Sequence, residues 1–96
     1  MSEQLLVKYE VLVKDSLDKY VRAYKLKYPD SRNIDTAKEF MEENYDSYRR
    51  EVAGIGIDII HEAGLGNNEV ARQIIDKNRF SIGALFGEIM NDALGI

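Results

Sequence analysis

The sequence predicts an all-α fold: a long antiparallel helical hairpin with two shorter C-terminal helices, a four-helix arrangement that is dimeric. Three observations carry this. Apolar residues recur at three- and four-residue steps over two long stretches. The only proline, Pro29, falls between those stretches. The one run that alternates like a strand, Gly54-Ile55-Gly56-Ile57, has no second strand to pair with. At 96 residues the chain is one domain, 1–96.

The first helix spans roughly residues 4–28. Leu6, Tyr9, Val13, Leu17, Tyr20, Tyr24 and Tyr28 form its stripe, Lys25 and Lys27 complement the dipole in its last turns, and Pro29-Asp30-Ser31 stops it. The second opens at Asp35 or Thr36, where Thr36-x-x-Glu39 has the form of a capping box. Its stripe runs Ala37, Met41, Tyr45, Tyr48, Val52, Ile55, Ile59, Ala63, and Leu65-Gly66 ends it. Gly54 and Gly56 each weaken this helix by about 1 kcal/mol relative to alanine and mark a place for a kink. Asn67 or Asn68 caps a short third helix ending near Lys77, with Val70, Ala71, Ile74 and Ile75 inward. Ser81 caps a fourth, with Ile82, Leu85, Phe86, Ile89 and Ala93 on one face. In the N-terminal half of the first helix and the C-terminal half of the second, apolar residues spread beyond one stripe. The antiparallel hairpin sets those halves side by side, and the short helices or a second subunit cover them.

Composition narrows the function classes. Without cysteine and with one histidine, the chain can build neither disulfides nor a cysteine-ligated metal site, and no cofactor is expected. No apolar run approaches the roughly 20 residues of a membrane span, and Met1-Ser2-Glu3-Gln4 lacks the basic start of a signal peptide, so a cytoplasmic location is the expectation. The net charge is −4, carried by the second half: residues 51–96 hold seven acids against Arg72, Lys77 and Arg79. That balance disfavours non-specific binding to phosphate backbones.

Several segments have the residue types of functional sites. In Ile74 to Phe86, Phe80-Ser81-Ile82-Gly83-Ala84-Leu85-Phe86 follows a pattern of hydrophobic residue, Ser, any, Gly, any, Leu and Tyr, with Phe86 in place of the tyrosine. Over thirteen residues this segment resembles the helix-turn-helix of tetracycline-repressor-type regulators. The resemblance implies that Ser81 caps a recognition helix, Leu85 anchors it, and Arg72, Lys77, Arg79 and Ser81 face nucleic acid. The chain departs from the pattern in carrying Arg79 where the turn usually has glycine, and in having no Arg or Lys on the recognition face. Lys19 to Tyr28 interleaves cations with tyrosines, as single-strand-binding surfaces do, but the tyrosines lie on the buried stripe. Asp58-x-x-His61-Glu62 is half of a carboxylate–histidine metal motif, and one histidine cannot complete it within one chain. No Ser, His and acid set, Cys/His pair or phosphate loop is present.

The expectation is therefore a small non-enzymatic protein-interaction module, an adaptor, regulator or inhibitor that binds another protein and itself. Its binding surface is expected on the C-terminal helix at Ile82, Phe86, Met90 and Leu94. The alternative is a DNA-binding regulator using residues 68–92.

Overall fold

The computed structural model describes residues 2–96; Met1, part of the N-terminal tetrapeptide read above, lies outside them. All regular structure among the described residues is helical and forms three helices, α1 (Ser2–Lys27), α2 (Ile34–Ala63) and α3 (Asn68–Leu94). They lie side by side in a rod of 49 × 20 × 17 Å. Its length is that of one helix, since the 30 residues of α2 rise about 45 Å.

The four-helix expectation needs correction: the third and fourth helices are one. Nothing between Lys77 and Ser81 breaks a helix, for the stretch holds neither glycine nor proline. A turn there would draw on a left-handed residue, and no described non-glycine residue has positive φ. Asn78 and Ser81 use their side chains to reach other helices rather than to start one. Helix α2 likewise runs unbroken through Gly54 and Gly56.

The α2 capping box sits one turn earlier than Thr36-x-x-Glu39. Asn33 Oδ1 accepts from the Thr36 amide at 3.0 Å, and Thr36 Oγ1 accepts from the Asn33 amide at 2.9 Å. Gly64, at φ +97°, takes the chain out of α2, and Asn67 Oδ1 then caps α3 by accepting from the Val70 amide at 3.2 Å. At the other end Gly95, left-handed at φ 76°, closes α3.

Helix α3 lies along the hairpin over its whole length, parallel to α1. The core is continuous, from Tyr9, Ile59, Val70 and Ile74 through Val13, Tyr48 and Val52 to Tyr24, Ala37, Phe40, Leu85 and Ile89. At the hairpin-loop end it is aromatic: Tyr24 and Phe40 rings stand 5.2 Å apart and Tyr20 meets Tyr48 edge-on at 5.3 Å. The loop is tied to the end of α3 by Arg32, whose Nε donates to Asp92 Oδ1 at 2.5 Å.

Candidate functional site

Where α3 points its side chains is decided by a buried polar clasp at the junction of the three helices. Asn78 and Ser81, three residues apart, share one face of α3. The Tyr9 hydroxyl from α1 donates to Asn78 Oδ1 and lies 3.2 Å from Ser81 Oγ. From α2 the Tyr48 hydroxyl donates to the Ser81 carbonyl at 2.7 Å. Gly56 lets α2 approach: a Cβ there would stand 2.5 Å from Asn78 Nδ2 and 3.1 Å from Ile74 Cγ2. Burial raises both phenols above the ordinary tyrosine value, Tyr48 to about 12. The clasp is therefore neutral and fixed, and it sets the rotation of α3.

With that rotation fixed, the residues expected to bind a partner divide. Ile82 and Met90 are half-buried and pack on the core. Phe86 and Leu94 are 55% and 53% exposed. Phe86 borders a shallow apolar groove of about 500 Å³ between α2 and α3, whose lining includes Met41, Tyr45 and Gly83. A larger groove of about 740 Å³ separates α1 from α3. Tyr9, Val13, Leu17 and Phe80 line it, and Lys77 Nζ bridges to Glu10 Oε1 at 2.8 Å on its rim. Its wall residue Phe80 is 87% exposed.

Phe80, Met41 and Tyr45 were not singled out from the sequence as surface residues, whereas Gly83-x-x-x-Gly87 is legible there as a small-residue face suited to tight packing or a dimer seam. For Phe80 the missing signal was helix continuity. Extending the period of Ile74, Leu85 and Ile89 through residue 80 places Phe80 well off the buried stripe, whereas a turn at 78–80 leaves its direction open.

The residues expected to face nucleic acid are not brought together. Residues 68–92 contain no turn, so Ser81 caps nothing and its hydroxyl belongs to the clasp. Arg72 and Arg79 lie two helical turns apart on one side, while Lys77 lies on another and is paired with Glu10. No model of a known protein family, no curated protein and no solved structure matches the chain.

The other segments resolve into structure. Tyr24 is fully buried, and its neighbouring cations Lys19, Lys25 and Lys27 pair with Glu51, Asp92 and Glu43. Asp58 and His61 are exposed on α2, and Glu62 bridges to Lys8 at 2.8 Å. Among the described residues no three His, Asp or Glu side chains converge as a metal site, and no helix is long and apolar enough to cross a membrane.

Proposed function

We propose that this chain is a non-enzymatic protein-interaction module, an adaptor, regulator or inhibitor, that binds protein through the outward face of α3 and self-associates there. One observation carries the reading. Between Arg79 and Asp92 the helix holds a single charged residue, Glu88, in a chain that is 31% charged. Most outward positions of α1 and α2 hold Lys, Arg, Asp or Glu, as solvated faces do, with Val7, Val11, Leu26 and Ile57 as exposed apolar exceptions. Here Phe80, Phe86 and Leu94 take those positions, each more than half exposed. Large apolar side chains exposed along one helix mark interaction surfaces.

The DNA-binding alternative rested on a turn that α3 does not form, and no observation favours it over the protein-binding reading.

Comparative affinity capture tests the proposal. Tagged wild-type chain and Phe86→Asp, both confirmed helical and both treated with nuclease, are exposed to the same native lysate. Because Phe86 is exposed, the substitution leaves the fold intact. Proteins retained by the wild type and lost from Phe86→Asp support the reading. An identical set from the two chains sinks it.

A further inference from the structure

Glycine is the poorest helix former after proline, and a buried close approach is the usual structural reason to keep it in a helix. Gly56 has that reason in the clasp. Gly83 and Gly87, one turn apart in α3, have none: a Cβ at either position would meet nothing within 4 Å. Inside this chain they only weaken the helix. On its outside they leave a trough.

That trough lies in a seam. Phe80, Gly83, Gly87, Met90 and Leu94 follow one another at alternating steps of three and four residues, the seven-residue period of a helix that packs along another helix. The core of the same helix is served by Val70, Ile74, Leu85 and Ile89, so the seam is a second apolar face, exposed at Phe80, Gly83 and Leu94 and half-buried at Gly87 and Met90. It carries no charge from Phe80 to Leu94.

We infer that the occupant of this face is a second copy of the chain, with its α3 packed antiparallel on the first; the inference rests on the protein-interaction reading of that same face. A two-fold interface must hold both halves of its complementarity on one patch. This one does. In the antiparallel register that sets Gly83 against Gly87 of the second copy, the two backbones meet at the glycines. Phe80 then packs against Met90 of the second copy on either side of that centre, and the two Phe86 rings flank it.

Charge agrees with the antiparallel sense. Helix α3 has no basic residue in its last turn, where the dipole favours one. Antiparallel pairing brings Arg79, which makes no ion pair among the described residues, alongside that end of the second copy.

Sedimentation equilibrium of the full chain across a micromolar concentration range tests the inference, with Gly83→Leu/Gly87→Leu as the deciding variant. Both leucines enter open space in the monomer, so the variant keeps its helicity and a thermal midpoint no lower than that of the wild-type monomer. The expected result is a dimeric wild type and a variant that stays monomeric at concentrations at least tenfold above the wild-type midpoint. A second variant reads direction. In an antiparallel pair Ala84 faces its own copy beside the seam, whereas in a parallel pair it does not. Ala84→Cys, in a chain with no other cysteine, then oxidises to a covalent dimer. A wild type that is monomeric throughout, a double-leucine variant that dimerises unchanged, or an Ala84→Cys dimer that does not cross-link would each overturn the inference. The binding of other proteins is judged separately, by whether Phe86→Asp loses captured proteins; a monomeric wild type removes only the self-association part of the proposed function.

Discussion

Lys19 Nζ lies 2.6 Å from one oxygen of Glu51, and the Tyr20 hydroxyl donates to the other at 3.2 Å. This is the middle rung of three. Lys8 pairs with Glu62 at 2.8 Å and Lys27 with Glu43 at 2.6 Å, always lysine on α1 and glutamate on α2. The steps match: Lys8 to Lys19 spans as many residues as Glu51 to Glu62, and Lys19 to Lys27 as many as Glu43 to Glu51. One antiparallel register satisfies all three rungs, and a slip of one residue breaks them together. Exposed pairs contribute little stability singly, about 0.2–1 kcal/mol each, so their effect is mainly on register.

Reversing the middle rung should therefore show coupling. Lys19→Glu sets two carboxylates against each other, and Glu51→Lys two ammonium groups. Each is expected to lower stability by about 1 kcal/mol, and the double exchange to recover most of it. Urea unfolding of the four chains measures the coupling; simple additivity would show that the rung contributes nothing. The rung also has a pH signature. Partial burial pushes the Glu51 carboxyl up, but the Lys19 ammonium and the Tyr20 hydroxyl outweigh it and hold the group below the ordinary glutamate range. A lowered folded pKa gives stability that is present above the unfolded value and lost as pH falls through the folded one. Glu51→Gln should flatten the acid limb of the stability curve, an effect that a pH series of urea midpoints reads directly.

The two helical glycines of α2 should respond oppositely to alanine. At Gly54 a Cβ meets nothing within 4 Å, so Gly54→Ala gains helix propensity and raises stability by up to ~1 kcal/mol. At Gly56 it would strike Asn78 and Ile74. Asn78 cannot yield without releasing the buried Tyr9 hydroxyl, so overpacking by about 1–3 kcal/mol exceeds the propensity gain. Urea midpoints that rise for both variants would remove Gly56 from the clasp.

The same clasp explains how much of the fold was legible in the sequence. The stripe of Tyr9, Val13 and Tyr24, and that of Ala37, Tyr48, Val52 and Ile59, are buried as their period requires. Periodicity reports which face of a helix is apolar, and the hairpin follows from it. Ser81 is no cap, and Asn78 beside it no turn residue, because their types carry two meanings. Asn and Ser favour caps and turns when their side chains serve nearby backbone, yet they fit mid-helix when a distant partner takes the hydrogen bond. The partner here is Tyr9, sixty-nine residues away, and local pattern holds no trace of it. The site was legible in part for a related reason. The sequence offers Ile82, Phe86, Met90 and Leu94 as a binding set, of which Phe86 and Leu94 are exposed, whereas the exposure of Phe80 depends on the helix running through residue 79.

Burial of Tyr48 predicts an alkaline transition. Its hydroxyl is removed from water and its neighbours Tyr9 and Glu51 add negative potential, which raises its pKa from 10.0 to about 12. A raised folded pKa means stability fully present below the unfolded value and lost as pH climbs toward the folded one, here between about pH 10 and 12. A shift of this size corresponds to on the order of 3 kcal/mol. Tyr48→Phe should lose about 1 kcal/mol at neutral pH, because the Ser81 carbonyl loses its donor. It should then fall less steeply above pH 10 than the wild type does. Tyrosinate absorbance followed with circular dichroism separates ionisation from unfolding; equal alkaline slopes for the two chains would contradict the assignment.

The continuity of α3 can be tested where a turn was expected. In an unbroken helix the amides of Asn78, Arg79, Phe80 and Ser81 donate to the carbonyls of Ile74, Ile75, Asp76 and Lys77. They should exchange with solvent deuterium as slowly as those of the flanking turns, since no opening short of separating α3 from the clasp frees them. A helix-turn-helix would instead expose at least two of the four and exchange them within the dead time of the measurement. Proline sharpens the comparison. Arg79 is exposed and its side chain takes no part in the core, so only the backbone consequence is read. In a turn, Arg79→Pro would cost little. Within a continuous helix it removes the bond to the Ile75 carbonyl and crowds that residue, at about 3 kcal/mol. A cost that large also loosens Asn78 and Ser81 from Tyr9 and Tyr48, so the variant should lose protection at the clasp as well as at residue 79. Protection that remains uniform on either side of the proline would mean that two helices, not one, meet at this point.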